Sequence, residues 1–176
     1  MRGFAPHWLK LAALALAASP VAACRAEAPA EAAVTAPLAL TGRVVDAAGI
    51  LTAAQEAEIT TLLTALERDT RVQFVVASTP SLEGEDIKTY SLRLANGWGL
   101  GDRERNDGLL LLVAPNDRKV RISTGLGLEK QLTDADCEEI VAQMLPLYQT
   151  GDLAGGTLSG ARLLDSAVRA KVRTVS

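Results

Sequence analysis

Gly108-Leu109-Leu110-Leu111-Leu112-Val113-Ala114-Pro115-Asn116-Asp117-Arg118-Lys119-Val120-Arg121-Ile122-Ser123-Thr124 is the stretch that decides the fold. Residues 109–114 are uninterrupted aliphatics, as in a central strand covered on both faces. Pro115-Asn116-Asp117 is turn chemistry, with proline setting φ and Asn and Asp tolerating the bend. Residues 118–124 then alternate Val120 and Ile122 with Lys119, Arg121 and Ser123, which reads as a hairpin partner with one solvated face.

Outward from this hairpin, helical and extended patterns alternate. Upstream, residues 72–78 (VQFVVAS) form a β-branched run that ends before Pro80, and they read as a buried strand. Thr52 with Gln55 three residues on is a capping-box pattern. Ile59, Leu62, Leu63 and Leu66 follow at helical spacing, so a helix is expected over 53–68. A second helix is expected over 86–96, with Ile87, Tyr90, Leu94 and Trp98 on its apolar side and the glycines of Gly97-Trp98-Gly99-Leu100-Gly101 stopping it. That glycine cluster follows a helix, whereas a dinucleotide fingerprint follows a strand and opens a helix, so a nucleotide cofactor is rejected.

Downstream, Cys137, Ile140, Val141, Met144 and Tyr148 mark one side of a helix over 133–148, whose last turn Pro146 should kink or shorten. A final helix fits 152–172, with Ala161, Leu164, Val168 and Val172 on one side, although Gly155, Gly156 and Gly160 blur its start. The expected fold is α/β: a three-layer α/β/α sandwich on a mixed β-sheet, with a C-terminal β-hairpin in the sheet.

The N-terminus has the three parts of an export signal. Arg2 and Lys10 are positive, residues 11–18 (LAALALAA) are apolar, and Ala22 and Ala23 are small. The apolar run is well short of the ~18 residues of a spanning helix. Val21-Ala22-Ala23-Cys24 resembles the lipobox of bacterial lipoproteins, with valine in place of the usual leucine. Ordinary secretion, with Cys24 incidental, is the alternative. Residues 1–23 are therefore expected to be a lipoprotein signal peptide and residues 24–42 a lipid-anchored tether rich in Ala and Pro. A folded domain is expected over 43–173. Arg25 follows the cysteine, not the aspartate associated with inner-membrane retention in enteric bacteria. The expectation is an exported lipoprotein on the periplasmic face, on the outer membrane if the source is Gram-negative.

Loss of the signal removes much chemistry. His7 is the one histidine, so a mature chain without it has neither a Ser-His-Asp nor a Cys-His system. Cys137 would remain alone beside Cys24, which excludes a His/Cys zinc site. Any metal must take oxygen ligands, which selects Ca²⁺, with Mg²⁺ second. The whole chain has 18 Lys plus Arg against 21 Asp plus Glu, a net charge of −3. Cleavage makes it more acidic still, so nucleic acid is not an expected partner. Cys137, on an apolar helix face, reads as a buried thiol rather than a nucleophile.

Oxygen donors gather at the expected strand ends: Asp46 after the opening Val44-Val45, Asn106 and Asp107 before the aliphatic strand, and Glu129 beyond Gly125-Leu126-Gly127. Loops at strand ends are where open α/β folds bind ligands. These four are the candidate metal ligands. The competing reading is turn and cap chemistry, since Asn-Asp-Gly is a common turn and an Asp before a helix can simply cap it.

Several motifs in order carry a family resemblance. They are Val45-Asp46-Ala47-Ala48-Gly49-Ile50-Leu51, Trp98-Gly99-Leu100-Gly101, Asn106-Asp107-Gly108 with its aliphatic strand, Asp117-Arg118-Lys119-Val120-Arg121-Ile122, Thr124-Gly125 and Gly151-Asp152-Leu153. From about Val44 to Leu164 the chain resembles the TPM domain. The resemblance implies an α/β/α sandwich, extracytoplasmic placement and, in several members, divalent cations in loops at one end of the sheet. Some plant members are described as acid phosphatases and an animal member modulates acetylcholine receptors, so family implies fold better than function. Many bacterial relatives carry a C-terminal membrane span, which the lipid on Cys24 would replace here. Two readings follow. The first is a lipid-anchored, Ca²⁺-binding accessory or interaction module with an envelope protein partner. The second is a weak, metal-dependent acid phosphatase acting on phosphomonoesters through the same loops.

Overall fold

The computed structural model describes residues 36–172. The signal sequence, Cys24 and residues 25–35 of the expected tether lie outside the described residues. In chain order the elements are β1 (Val44–Asp46), α1 (Ala53–Thr70), β2 (Gln73–Ser78), α2 (Ile87–Gly97), β3 (Gly108–Ala114), β4 (Lys119–Thr124), α3 (Asp134–Gln149) and α4 (Leu153–Val172). They form a mixed sheet in the order β1-β2-β3-β4, with β1, β2 and β3 parallel and β4 antiparallel to β3. The β3–β4 hairpin closes the sheet, but two helices follow it, so it is not C-terminal in the chain.

The aliphatic run behaves as its composition demands. Every residue of β3 is buried. Leu109 and Leu111 face a core shared with Ile59 and Leu63 of α1, Ile140 and Met144 of α3, and Leu164 and Val168 of α4. Leu110, Leu112 and Ala114 face the other side, against Tyr90 and Leu94 of α2. Three helices thus cover one face and one covers the other. This arrangement has a topological consequence. Strands β1, β2 and β3 are laid down in one direction across the sheet, so two right-handed crossovers would put α1 and α2 on the same face. They occupy opposite faces. One of the two crossovers is therefore left-handed.

The helix starts follow their caps. The Thr52 side chain accepts the Gln55 N–H, and the Gln55 side chain accepts the Thr52 N–H at 2.9 Å, completing the expected box. Thr133 and Asp136 form a second one at α3. Pro146 does not shorten α3, which continues to Gln149. Both Pro146 and Ala142, whose carbonyl loses its partner, are exposed, so water can serve the freed oxygen. The glycines of α4 are where the two helices meet. A Cβ on Gly156 would stand 2.3 Å from the Tyr148 ring, and one on Gly160 would stand 2.5 Å from the Met144 sulfur.

Two residues within the span expected as tether, 24–42, contact the domain. Ala36 and Leu38 pack on the α2 side of the sheet, and the Trp98 indole N–H donates to the Leu38 carbonyl at 2.7 Å. Apolar side chains beside a half-buried tryptophan gain more by docking than by remaining in water.

Lys171 near the end of α4 reaches Asp136 at 2.5 Å. Its ammonium, with the Thr133 hydroxyl and N–H, holds the Asp136 carboxyl at about 2, below the ordinary carboxylate range. A depressed value stabilises the fold above the unfolded pKa, and the contribution is lost as pH falls from about 4 towards 2. The pair sits at the surface, so its effect is small. Asp136→Asn should therefore flatten the acid limb of a melting-temperature profile slightly and leave the region above pH 5 parallel to wild type.

Candidate functional site

Asp46 ends β1, at the C-terminal edge of the parallel strands. Its Oδ1 accepts the Ile50 N–H at 3.1 Å and the Ser78 hydroxyl, and its Oδ2 accepts the Leu51 N–H at 2.8 Å. Ser78 Oγ in turn accepts the Ala48 N–H at 2.9 Å. The carboxylate pins the 46–51 loop, in which Gly49 takes φ +64°. This is the turn-and-cap role. Sequence reasoning missed Ser78 because its part depends on the parallel pairing that sets Asp46 opposite it.

The other three candidates lie at the opposite end. Asp107 is buried, and its Oδ1 accepts the Asp102 N–H at 2.9 Å while its Oδ2 accepts Arg105 Nε at 2.6 Å. Bonding to Asp107 raises the pKa of the Arg105 guanidinium. Asp102 accepts the N–H groups of Arg105 and Glu104, which lower its own pKa. Asn106 adopts the left-handed region at φ 50° and is exposed.

The 101–108 loop meets the 125–129 loop backbone to backbone. Gly125 N–H donates to the Gly108 carbonyl at 2.8 Å, and Gly127 N–H donates to the Asn106 carbonyl at 2.9 Å. A Cβ on Gly125 would stand 2.2 Å from the Asn106 carbonyl oxygen, and one on Gly127 only 1.7 Å from that of Arg105. The glycines of Gly125-Leu126-Gly127 are thus required by close approach. This docking brings Asn106 and Glu129 to one cleft of about 240 Å³, lined also by Asn96, Ser123 and Thr124. Asp107 faces a neighbouring hollow beside Arg105 and Gln131.

The four predicted ligands therefore do not converge. Asp46 is in register with Ser78 and, through it, with Val113, whereas Asp107 precedes Gly108 at the start of β3. At ~3.3 Å per residue, Asp46 and Asp107 are about 20 Å apart along the sheet. A residue after one strand and a residue before a parallel strand must lie at opposite ends. Among the described residues, no three His, Cys, Asp or Glu side chains gather as a metal-holding group.

The sequence motifs now have positions: a pinned loop after β1, a buried β3, and glycine-docked loops before β3 and after β4. The family model for the TPM domain matches residues 44–167. The chain belongs to the TPM domain family. A solved N-terminal domain of a Porphyromonas gingivalis (P. gingivalis) protein is 32% identical, with a TM-score of 0.70 over 76% of this chain and 85% of that one. The N-terminal domain of a Corynebacterium glutamicum protein is 21% identical, with a TM-score of 0.58 over 74% of this chain and 82% of that one. A protein of the psychrophilic bacterium Bizionia argentinensis is 17% identical, with a TM-score of 0.60 over 69% and 83%. These last two share the fold. No curated protein matches the chain.

Within this TPM domain two further motifs are tied to neighbouring segments by hydrogen bonds. Gly101 N–H donates to the Gln73 side chain at 2.9 Å, which ties the end of the Trp98-Gly99-Leu100-Gly101 motif to β2. Asp117 Oδ2 accepts the Leu82 N–H at 2.9 Å, joining the β3–β4 turn to the loop before α2. Cys137 is a buried free thiol whose pKa desolvation pushes up to about 11, the opposite of an activated nucleophile.

Proposed function

We propose that this TPM domain is an exported accessory or interaction module of the cell envelope, lipid-anchored through Cys24, that binds its ligand without turning it over. The observation that carries this reading is the state of the two carboxylates a metal-dependent phosphatase would use. Asp46 is committed to two backbone N–H groups and Ser78, and Asp107 to Arg105 and the Asp102 N–H, at opposite ends of the sheet. Holding a metal-bound water in line with a phosphate needs ligands that converge. The full chain should therefore leave a chromogenic phosphomonoester intact at pH 5 and pH 7, with or without Ca²⁺ or Mg²⁺. Turnover that Asp107→Ala abolishes in a folded variant would replace this reading with the phosphatase one.

Supporting the anchor is Val21-Ala22-Ala23-Cys24 behind an apolar run too short to span a bilayer. Among the described residues no helix is long and apolar enough to cross a membrane. The placement proposed is the periplasmic face, on the outer membrane in a Gram-negative cell. Metabolic labelling with a fatty-acid analogue should mark the wild type and not Cys24→Ser. Equal labelling of both would sink the anchor.

The cation, Ca²⁺ in preference to Mg²⁺, is assigned to the Asn106–Glu129 cleft, where amide, carboxylate and hydroxyl oxygens line one space. This donor set suits a hard ion, and a single carboxylate places it with weak sites, of Kd about 10⁻⁴–10⁻³ M. At a tenfold excess of free Ca²⁺ over Kd, binding stabilises the fold by about 1.4 kcal/mol, or roughly 3–6 °C in Tm. Glu129→Gln should lose the rise. Asp46→Asn should keep it from a lower starting Tm, since it weakens only the loop bonds. The same rise in Glu129→Gln as in wild type would place the ion elsewhere.

A further inference from the structure

Among the described residues strand β4 pairs with β3 alone, which leaves its other edge without a neighbouring strand. Gly125 N–H donates to the Gly108 carbonyl, and these residues stand opposite each other in the register that pairs Leu109 with Thr124. Directly bonded pairs recur at every second residue of an antiparallel ladder. Ser123, Arg121 and Lys119 therefore spend their main-chain groups on β3. The N–H and C=O groups of Val120, Ile122 and Thr124 point away from the sheet. Among the described residues none of these three makes a backbone bond to any loop or turn.

This edge lies between α2 and α3. A hollow of about 400 Å³ runs along it, lined by Lys88 of α2, Ile122 of β4 and Val141 of α3. A larger one of about 630 Å³ lies towards the β3–β4 turn, lined by Arg118, Lys119 and Tyr148. Val120 and Leu145 line both, so the two form one groove, and Leu145 is 40% exposed within it. No acidic side chain lines the larger hollow. Neither Arg118 nor Lys119 takes part in an ion pair among the described residues.

We propose that the β4–α3 groove takes an extended peptide of a partner protein as an antiparallel fifth strand, with the peptide's C-terminal carboxylate at Arg118 and Lys119. Free main-chain groups on an edge strand beside apolar pockets are the elements of strand addition. Direction follows from charge. A segment antiparallel to β4 runs from Thr124 towards Lys119, so its C-terminus arrives at the two unpaired cations. A parallel one would bring its N-terminal ammonium there instead. The peptide residue opposite Val120 projects on the α3 face, as Val120 does, and so reaches the apolar space beside Leu145. This inference rests on the reading of the domain as an interaction module and names the chemistry of its partner.

The test uses the full chain in detergent and a fluorescein-labelled hexapeptide of alternating threonine and valine ending in leucine. Fluorescence polarisation should show saturable binding that C-terminal amidation weakens at least tenfold. The double variant Arg118→Ala/Lys119→Ala should bind both peptide forms equally, and Leu145→Glu, at an exposed position, should weaken binding at least tenfold. Amide exchange should slow at Val120, Ile122 and Thr124, while Lys119, Arg121 and Ser123, already bonded to β3, change little. No saturation below 1 mM peptide, equal binding of acid and amide by wild type, or the absence of that alternation would each overturn the proposal. So would protection of the same amides by dimerisation without peptide, because a second copy would then be the occupant. Turnover of a phosphomonoester would remove the module reading without altering these readouts, so the two failures are distinguishable.

Discussion

Gly127→Ala is expected to destabilise the domain by about 3–5 kcal/mol and to abolish the thermal response to Ca²⁺. The added methyl would stand 1.7 Å from the Arg105 carbonyl oxygen and 3.0 Å from that of Asn106. Both neighbours are main chain, so no side chain can swing aside. The loops must separate by more than an ångström, and the bond from Gly127 N–H to the Asn106 carbonyl is lost with its neighbour from Gly125 to Gly108. Asn106 and Glu129 share a cleft only because these loops dock, so the candidate cation donors part with them. Leu126→Ala is the control in the same loop. Leu126 is 70% exposed, and its truncation should stay within about 0.5 kcal/mol. Thermal melts of the three proteins with and without Ca²⁺ decide the matter. A Gly127→Ala protein with wild-type Tm and wild-type Ca²⁺ response would show that the loops separate without cost.

Phe74→Ala should cost as much for a different reason. Phe74 of β2 is fully buried in the larger core, between the sheet and the helices of that face. Truncating a buried phenylalanine typically costs about 3–5 kcal/mol in lost transfer energy and residual cavity. For a domain of this size that is roughly 10–20 °C in Tm. Unlike Gly127→Ala, it should leave the Ca²⁺ increment intact, because none of the residues lining the cleft belongs to this core. Urea titration of both variants, repeated in Ca²⁺, separates the two mechanisms. A Phe74→Ala protein that loses the increment would mean that the cleft depends on the core rather than on loop docking.

The sequence by itself determined the element types and the sandwich. Residues 109–114 could not leave either face in water, which requires helices on both sides of that strand. Thr52 with Gln55 marked the start of α1 because a capping box is satisfied within three residues. The hairpin through Asp117 was legible for the same reason: its chemistry is local. Tertiary structure alone decided what the polar residues do. The sequence places Asp46 after one strand and Asp107 before another, but only the folded chain shows that β1, β2 and β3 run side by side in one direction. The two carboxylates stand at opposite ends of the sheet for that reason. What requires glycine at 125 and 127 is not legible along the chain, because the close approach is to a carbonyl oxygen some twenty residues away. Ala36 and Leu38 looked like tether because the core they pack against, and the Trp98 indole that bonds the Leu38 carbonyl, are distant in sequence. Pattern and capping act within a few residues and can be read along the chain. Strand direction, loop docking and the open edge of β4 depend on which distant segments meet, and only the folded chain settles that.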